Sequence, residues 1–186
     1  MENEIQAKAV SQSQTNLTEL MVPSYSNFGG KVHGGILLSL MDKVAYICAT
    51  RHSSAYCVTV AMDDVEFRQP VDVGDLVSMM ASVNYVGTTS MVIGIKVTAE
   101  NVVKGIVKHT NTSYVTMVAK NAEGEPQTVP PLQLETGDDV RRFMEAIKRR
   151  EMNAAFRQNW DLTARTFNIE EAAQQLSSYR CRIDLR

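Results

Sequence analysis

One stretch of the chain concentrates residue types that could do chemistry: Asn27-Phe28-Gly29-Gly30-Lys31-Val32-His33-Gly34-Gly35-Ile36-Leu37-Leu38-Ser39-Leu40-Met41-Asp42. Gly34 and Gly35 stand where a helix should begin. The first N–H groups of a helix lack intrahelical partners and sit at the positive end of its dipole. Such a start can hold a developing oxyanion. Asp42 follows two turns later on the face shared with Gly35, Leu38, Ser39 and Tyr46, where a carboxylate could act as a base. A plainer reading also fits these residues: a glycine turn that lets a helix pack closely, and an aspartate capped by Ser39 or Tyr46. On the residues alone the two readings stay open.

The helix that carries Asp42, about Gly35 to Thr50, has apolar groups on nearly every side and should be largely buried. A mid-helix carboxylate is costly there, so Asp42 needs hydrogen-bond donors, solvent or a raised pKa. Residues 15–22 form a short strand candidate. Val77, Met79, Ala81, Val83 and Tyr85 alternate with period two, as do Met91, Ile93, Ile95 and Val97, and both runs read as half-buried strands. Cys57 to Phe67 starts in one phase (Val58, Val60, Met62) and ends in the other (Val65, Phe67), which predicts a bulge near Asp63-Asp64. A weaker strand covers about Lys108 to Ala119. One buried helix and several consecutive strands make an α+β pattern, an antiparallel sheet wrapped over a helix.

The remaining composition narrows the function. With 19 Lys+Arg against 21 Asp+Glu, net charge −2, a general nucleic-acid binder is not expected. Residues 1–137 carry 9 basic and 13 acidic side chains, residues 138–186 carry 10 and 8. The most apolar run, Ile36 to Met41, is far too short for a membrane span, and residues 1–14 lack the apolar stretch of a signal peptide. Three cysteines in no ligand spacing (Cys48, Cys57, Cys181) read as reduced thiols in a cytoplasmic protein. There is no G-x-S-x-G elbow, phosphate loop or HExxH. Cys48 paired with His33 as a nucleophile is less economical than Cys48 as core packing.

The stretch from Asn27 to Asp42 resembles the signature of hotdog-fold acyl-CoA thioesterases, in the branch that contains the cytosolic acyl-CoA hydrolases. Asn27, Gly30, Val32, His33, Gly34, Gly35, Leu37, Met41 and Asp42 match that pattern. Phe67, Pro70, Gly74 and Asp75 resemble a second block, and Tyr85 to Met91 a following hairpin. The resemblance covers about residues 15–132. It implies a hotdog fold in which a long central helix is wrapped by an antiparallel sheet. It also implies a homodimer with two sites at its interface, assembled as a trimer of dimers into a homohexamer. Asp42 and Asn27 are then the catalytic pair, from different protomers. The implied reaction is hydrolysis of fatty acyl-CoA to fatty acid and CoA. Asp42 serves as base or nucleophile, and the Gly34 and Gly35 N–H groups face the carbonyl oxygen. No metal or redox cofactor is needed.

For substrate contacts beyond the thioester, His33, Arg68 and the Thr88-Thr89-Ser90 turn are the candidates, the last two for the CoA phosphates. Two rivals stand beside this reading: a hotdog hydratase or dehydratase with His33 as base, and a non-catalytic acyl-CoA-binding regulator. The expected organisation is a disordered lead-in over 1–14, a hotdog domain over 15–132 and a C-terminal helical tail over 133–186. In the tail Val140, Phe143, Met144 and Ile147 have helical spacing, Thr136 to Asp139 could cap the start, and a second helix begins at Asn168. Arg141, Arg142, Lys148, Arg149 and Arg150 form either a solvated surface or a source of cations near CoA.

Overall fold

The computed structural model describes residues 5–184. Short strand β1 (Lys8–Ala9) and helix α1 (Val10–Ser13) lead into β2 (Thr15–Leu20). Helix α2 (Gly34–Ser53) is followed by β3 (Tyr56–Met62), β4 (Leu76–Val86), β5 (Ser90–Asn101) and β6 (Ile106–Lys120). Then come β7 (Leu132–Gln133), α3 (Gly137–Arg165) and α4 (Ile169–Gln175). The antiparallel sheet runs β2-β4-β5-β6-β3, so β2 and β3 are its edges. Helix α2 touches all five strands. This is the expected α+β arrangement, with the sheet curled around the long helix.

Period-two patterning explains the core. Val77, Met79, Ala81 and Val83 of β4 and Met91, Ile93, Ile95 and Val97 of β5 turn inward and are buried. They meet Leu37, Leu40, Met41, Val44, Ala45, Cys48 and Ala49 of α2. Gly35, Ser39, Asp42, Lys43 and Tyr46 are exposed. The helix is thus less enclosed than its composition suggests, because an open stripe runs along it through Asp42.

Three expectations are corrected. The lead-in is ordered from Lys8: Val10 and Ser13 are buried, β1 pairs with β7, and the Lys8 ammonium caps the Arg51 carbonyl at the end of α2. The β3 bulge lies at Val60, between the Thr59–Met117 and Ala61–Thr116 pairs, and not at Asp63-Asp64. The phase change is real, but Asp63 to Phe67 is no longer strand. Cys57, with Thr59, shares the inward side of β3 and is buried, so the alternation runs opposite to the Val58-Val60 reading.

The chain divides into two compact units after Ala146. The first unit includes the opening turns of α3. There Asp139 accepts the Glu135 and Thr136 N–H groups, Thr136 Oγ1 accepts the Asp139 N–H, and Phe143 packs on Tyr85 at 5.1 Å. In the second unit α3 continues to Arg165, and Asn168 caps α4 through the Glu170 N–H. Met152, Phe156 and Trp160 are exposed there, with the Phe156 and Trp160 rings stacked at 6.3 Å.

Candidate active site

The carboxylate of Asp42 stands on the open stripe of α2 and reaches edge strand β3. Thr59 Oγ1 donates to Asp42 Oδ1 at 2.6 Å and also lies 3.1 Å from Met117 Sδ. One carboxylate oxygen is thereby held, on a side chain that is otherwise open to solvent. Around the pair is a groove of about 590 Å³ lined by Leu17, Asp42, Lys43, Tyr46, Ile47, Tyr56, Cys57, Val58 and Thr59. The groove is mostly apolar, with Tyr46 and Tyr56 edge to face at 6.2 Å. Thr59 was not expected from the sequence. Its signal is its place two residues from Cys57, on the side of β3 that faces the helix.

The Asn27 turn is rigid. Asn27 Oδ1 accepts the Gly29 N–H at 2.9 Å and the Lys31 N–H at 3.1 Å, and the Asn27 N–H donates to the Lys31 carbonyl at 2.6 Å. Gly30 takes φ +74°, which a side chain would resist. The turn is fastened by the Lys31–Asp72 ion pair and by the Val32 N–H to the Val71 carbonyl, 2.9 Å. With its oxygen used internally, the Asn27 amide has its NH₂ group for a substrate or water.

At the start of α2 the expected pair of amide donors is reduced. His33 Nδ1 accepts the Gly35 N–H at 2.9 Å, so that amide caps the helix. A Cβ on Gly35 would sit 2.9 Å from the His33 ring, which is why this position takes glycine. The same bond places the neutral ring's proton on Nε2. His33 therefore offers a donor to its surroundings and no free acceptor, which disfavours it as the base of a hydratase. The Gly34 amide remains for an oxyanion.

These groups do not all meet within one protomer. Gly34 and Asp42 are on the order of 12 Å apart along α2, at ~1.5 Å per residue. Arg68 donates its N–H to the Thr110 carbonyl and pairs with exposed Glu66 at 3.3 Å. Thr110 lies roughly 20 Å or more along β6 from Met117, the neighbour of Thr59. The Thr88-Thr89-Ser90 turn is instead at the Asp42 end: Ser90 pairs with Val118, which pairs with Val58, so two strand spacings or about 10 Å separate it from β3. Its carbonyls also hold the chain, Thr89 to the Ala119 N–H and Thr88 to the Val129 N–H. One end of the protomer thus carries Asn27, His33, Gly34 and Arg68, and the other Asp42, Thr59 and the hairpin turn. Arg141 is ion-paired with Asp138 and Glu145, and Arg142 with Asp138.

Cys48 is buried and its thiol is pushed up to about 12 by desolvation, which makes it an inert core group. Among the described residues no three potential metal ligands cluster, and no helix is long and apolar enough to cross a membrane.

Residues 29–106 match the model of the thioesterase superfamily. Protein VdlD of Helicobacter pylori is 44% identical over 136 residues, 73% of this chain and 78% of the relative. A hexameric acyl-CoA thioesterase, solved in its apo form, superposes with a TM-score of 0.78 at 32% identity, covering 81% of this chain and 97% of that one. The acyl-CoA hydrolase of Staphylococcus aureus, solved with butyryl coenzyme A, coenzyme A and coenzyme A disulfide, superposes at 0.77 with 30% identity, covering 86% and 97%. That hydrolase has also been solved with a single aspartate, asparagine or threonine replaced by alanine.

Proposed function

The chain belongs to the thioesterase superfamily, as an acyl-CoA thioester hydrolase of hotdog fold, and from that premise we propose that it cleaves fatty acyl-CoA at a site completed by two protomers. The observation that carries the proposal is the solvent-open Asp42 carboxylate, held by Thr59 at 2.6 Å over an apolar groove. Asp42 takes a proton from water, and the hydroxide formed attacks the thioester carbon. The carbonyl oxygen becomes an oxyanion facing the Gly34 N–H at the helix start of the other protomer, whose Asn27 amide orients the water or the carbonyl. Collapse breaks the C–S bond, and the proton passes from Asp42 to the CoA sulfur. A positioned base contributes ~10²–10⁴-fold in rate, and one oxyanion donor about 10²–10³-fold. The reaction uses no metal or redox cofactor.

Two features support a second protomer. The ~12 Å between Gly34 and Asp42 is too long for both to touch one carbonyl group. Strand β3 is an uncharged edge, Tyr-Cys-Val-Thr-Val-Ala-Met, with Tyr56 and Val60 each 61% exposed; an edge of this kind invites pairing. Joining two β3 edges about a two-fold axis makes one continuous sheet and lays the two copies of α2 side by side, running in opposite directions. Each Asn27 end then faces the other chain's Asp42 end. The Thr88-Thr89-Ser90 turn and the partner's Arg68 flank the CoA phosphates, and the partner's His33 Nε2–H is a further donor. Three such dimers make the hexamer, in a cytoplasmic protein.

The test is release of free thiol across acyl-CoA substrates from short to long. Hydrolysis with an optimum among fatty acyl chains is expected. Binding of acyl-CoA without turnover would favour the regulatory reading instead.

A further inference from the structure

Phe28 sits at the tip of the Asn27 turn and is fully exposed, with a relative accessibility of 114%. Its backbone is fixed: the Gly29 and Lys31 N–H groups converge on Asn27 Oδ1, and Gly30 donates to the Asn27 carbonyl at 3.0 Å. A rigid turn that displays a phenyl ring to water, one residue from the proposed catalytic amide, needs an apolar cover. Among the described residues, the turn's own protomer leaves the ring uncovered. The groove beside Asp42 has the opposite character. It is apolar and open, and its Tyr46 and Tyr56 rings are 38% and 61% exposed. About 590 Å³ is more than a phenyl ring fills.

We propose that Phe28 of each protomer seats against the partner's Tyr46 and Tyr56 and forms the wall of the groove that receives the acyl chain. The inference rests on the two-protomer site argued above. If the partner's Asn27 reaches the carbonyl beside Asp42, the adjacent Phe28 is delivered to the same groove. The occupant is a second copy of this chain, and the contact is reciprocal, as a two-fold axis requires. Aromatic pairs in such contacts settle edge to face or offset, and the open Tyr46–Tyr56 pair leaves a ring face for a third. What the phenyl ring fills, an acyl chain cannot enter, so Phe28 sets the length of chain accepted.

Disulfide trapping tests the seat. In a Cys181→Ser background, which removes the exposed native thiol, Phe28→Cys and Tyr56→Cys chains are co-expressed and oxidised. A covalent dimer well above that of either chain alone is expected. In parallel, Phe28→Ala should move the kcat/KM optimum to longer acyl chains by at least two carbons. A missing cross-link or an unmoved chain-length profile overturns the proposal. Co-expression of Asn27→Ala with Asp42→Ala separates its failure from that of the underlying reading: recovered activity without a cross-link sinks Phe28 alone, and no recovery sinks the two-protomer site.

Discussion

At the residue scale the proposed mechanism depends on one carboxylate, Asp42, and on the Thr59 hydroxyl that donates to it. Asp42→Ala removes the proton acceptor and should lower kcat by at least ~100-fold with KM little changed. Thr59→Val keeps the shape and removes the donor, so one carboxylate oxygen loses its 2.6 Å contact; kcat should fall on the order of 10-fold, and Thr59→Ser should restore most of it. Steady-state kinetics on the folded variants checks both, and a fully active Thr59→Val would reduce the hydrogen bond to packing. Asp42 and Asn27 were legible as candidates because their motif is local. Thr59 was not, because its role depends on a strand that comes later in the chain and packs across the helix. A mid-helix carboxylate signalled that some donor was needed. Ser39 and Tyr46 were the donors that helical spacing could offer, while the structure supplies one from β3.

At the scale of elements, α2 fixes the site by being held at both ends. Its start is capped by the His33 ring. Its end is held by Lys8 on the Arg51 carbonyl and by His52, whose Nε2 meets the Pro130 carbonyl at 2.9 Å. His52 is fully buried, and among the described residues its Nδ1 has no hydrogen-bond partner. Burial lowers its pKa, against a smaller opposing effect of the Pro130 bond. The folded protein therefore binds this proton less readily than the unfolded chain, and the stability His52 contributes is present above the ordinary histidine value, ~6.5, and is lost as pH falls below it. Urea denaturation between pH 7.5 and 5.5 should show a midpoint that drops with pH, and a smaller drop in His52→Gln. Equal slopes in the two proteins would remove His52 from the account. The strands of the sheet were legible from alternation. The bulges were less so: Asn84 interrupts the β4 register after Val83, and its side chain occupies the space where a Cβ on Gly94 would come within 2.2 Å of Asn84 Nδ2. A bulge answers to the partner strand, and a single strand's pattern does not contain its partner.

At the scale of the whole molecule, the proposed reading gives each protomer two half-sites, one at the start of α2 and the other near its middle at Asp42, and neither is complete alone. In the sequence only the family resemblance put Asn27 and Asp42 on different protomers; from the residues themselves that separation was not legible, because Asn27 and Asp42 are near in sequence and Gly34 and Asp42 share one helix. It follows from the rise of a helix and the length of β6, once Arg68 is seen to lie at the Thr110 end and Thr59 at the Met117 end. The most direct measurement is activity of a mixed dimer. Asn27→Ala and Asp42→Ala homodimers should each be inactive. Co-expressed and purified as the mixed species through two tags, they should regain close to half of the wild-type rate per dimer, since one site then holds both native residues and the other neither. A mixed dimer as inactive as its parents would contradict the shared site and return both residues to a single protomer.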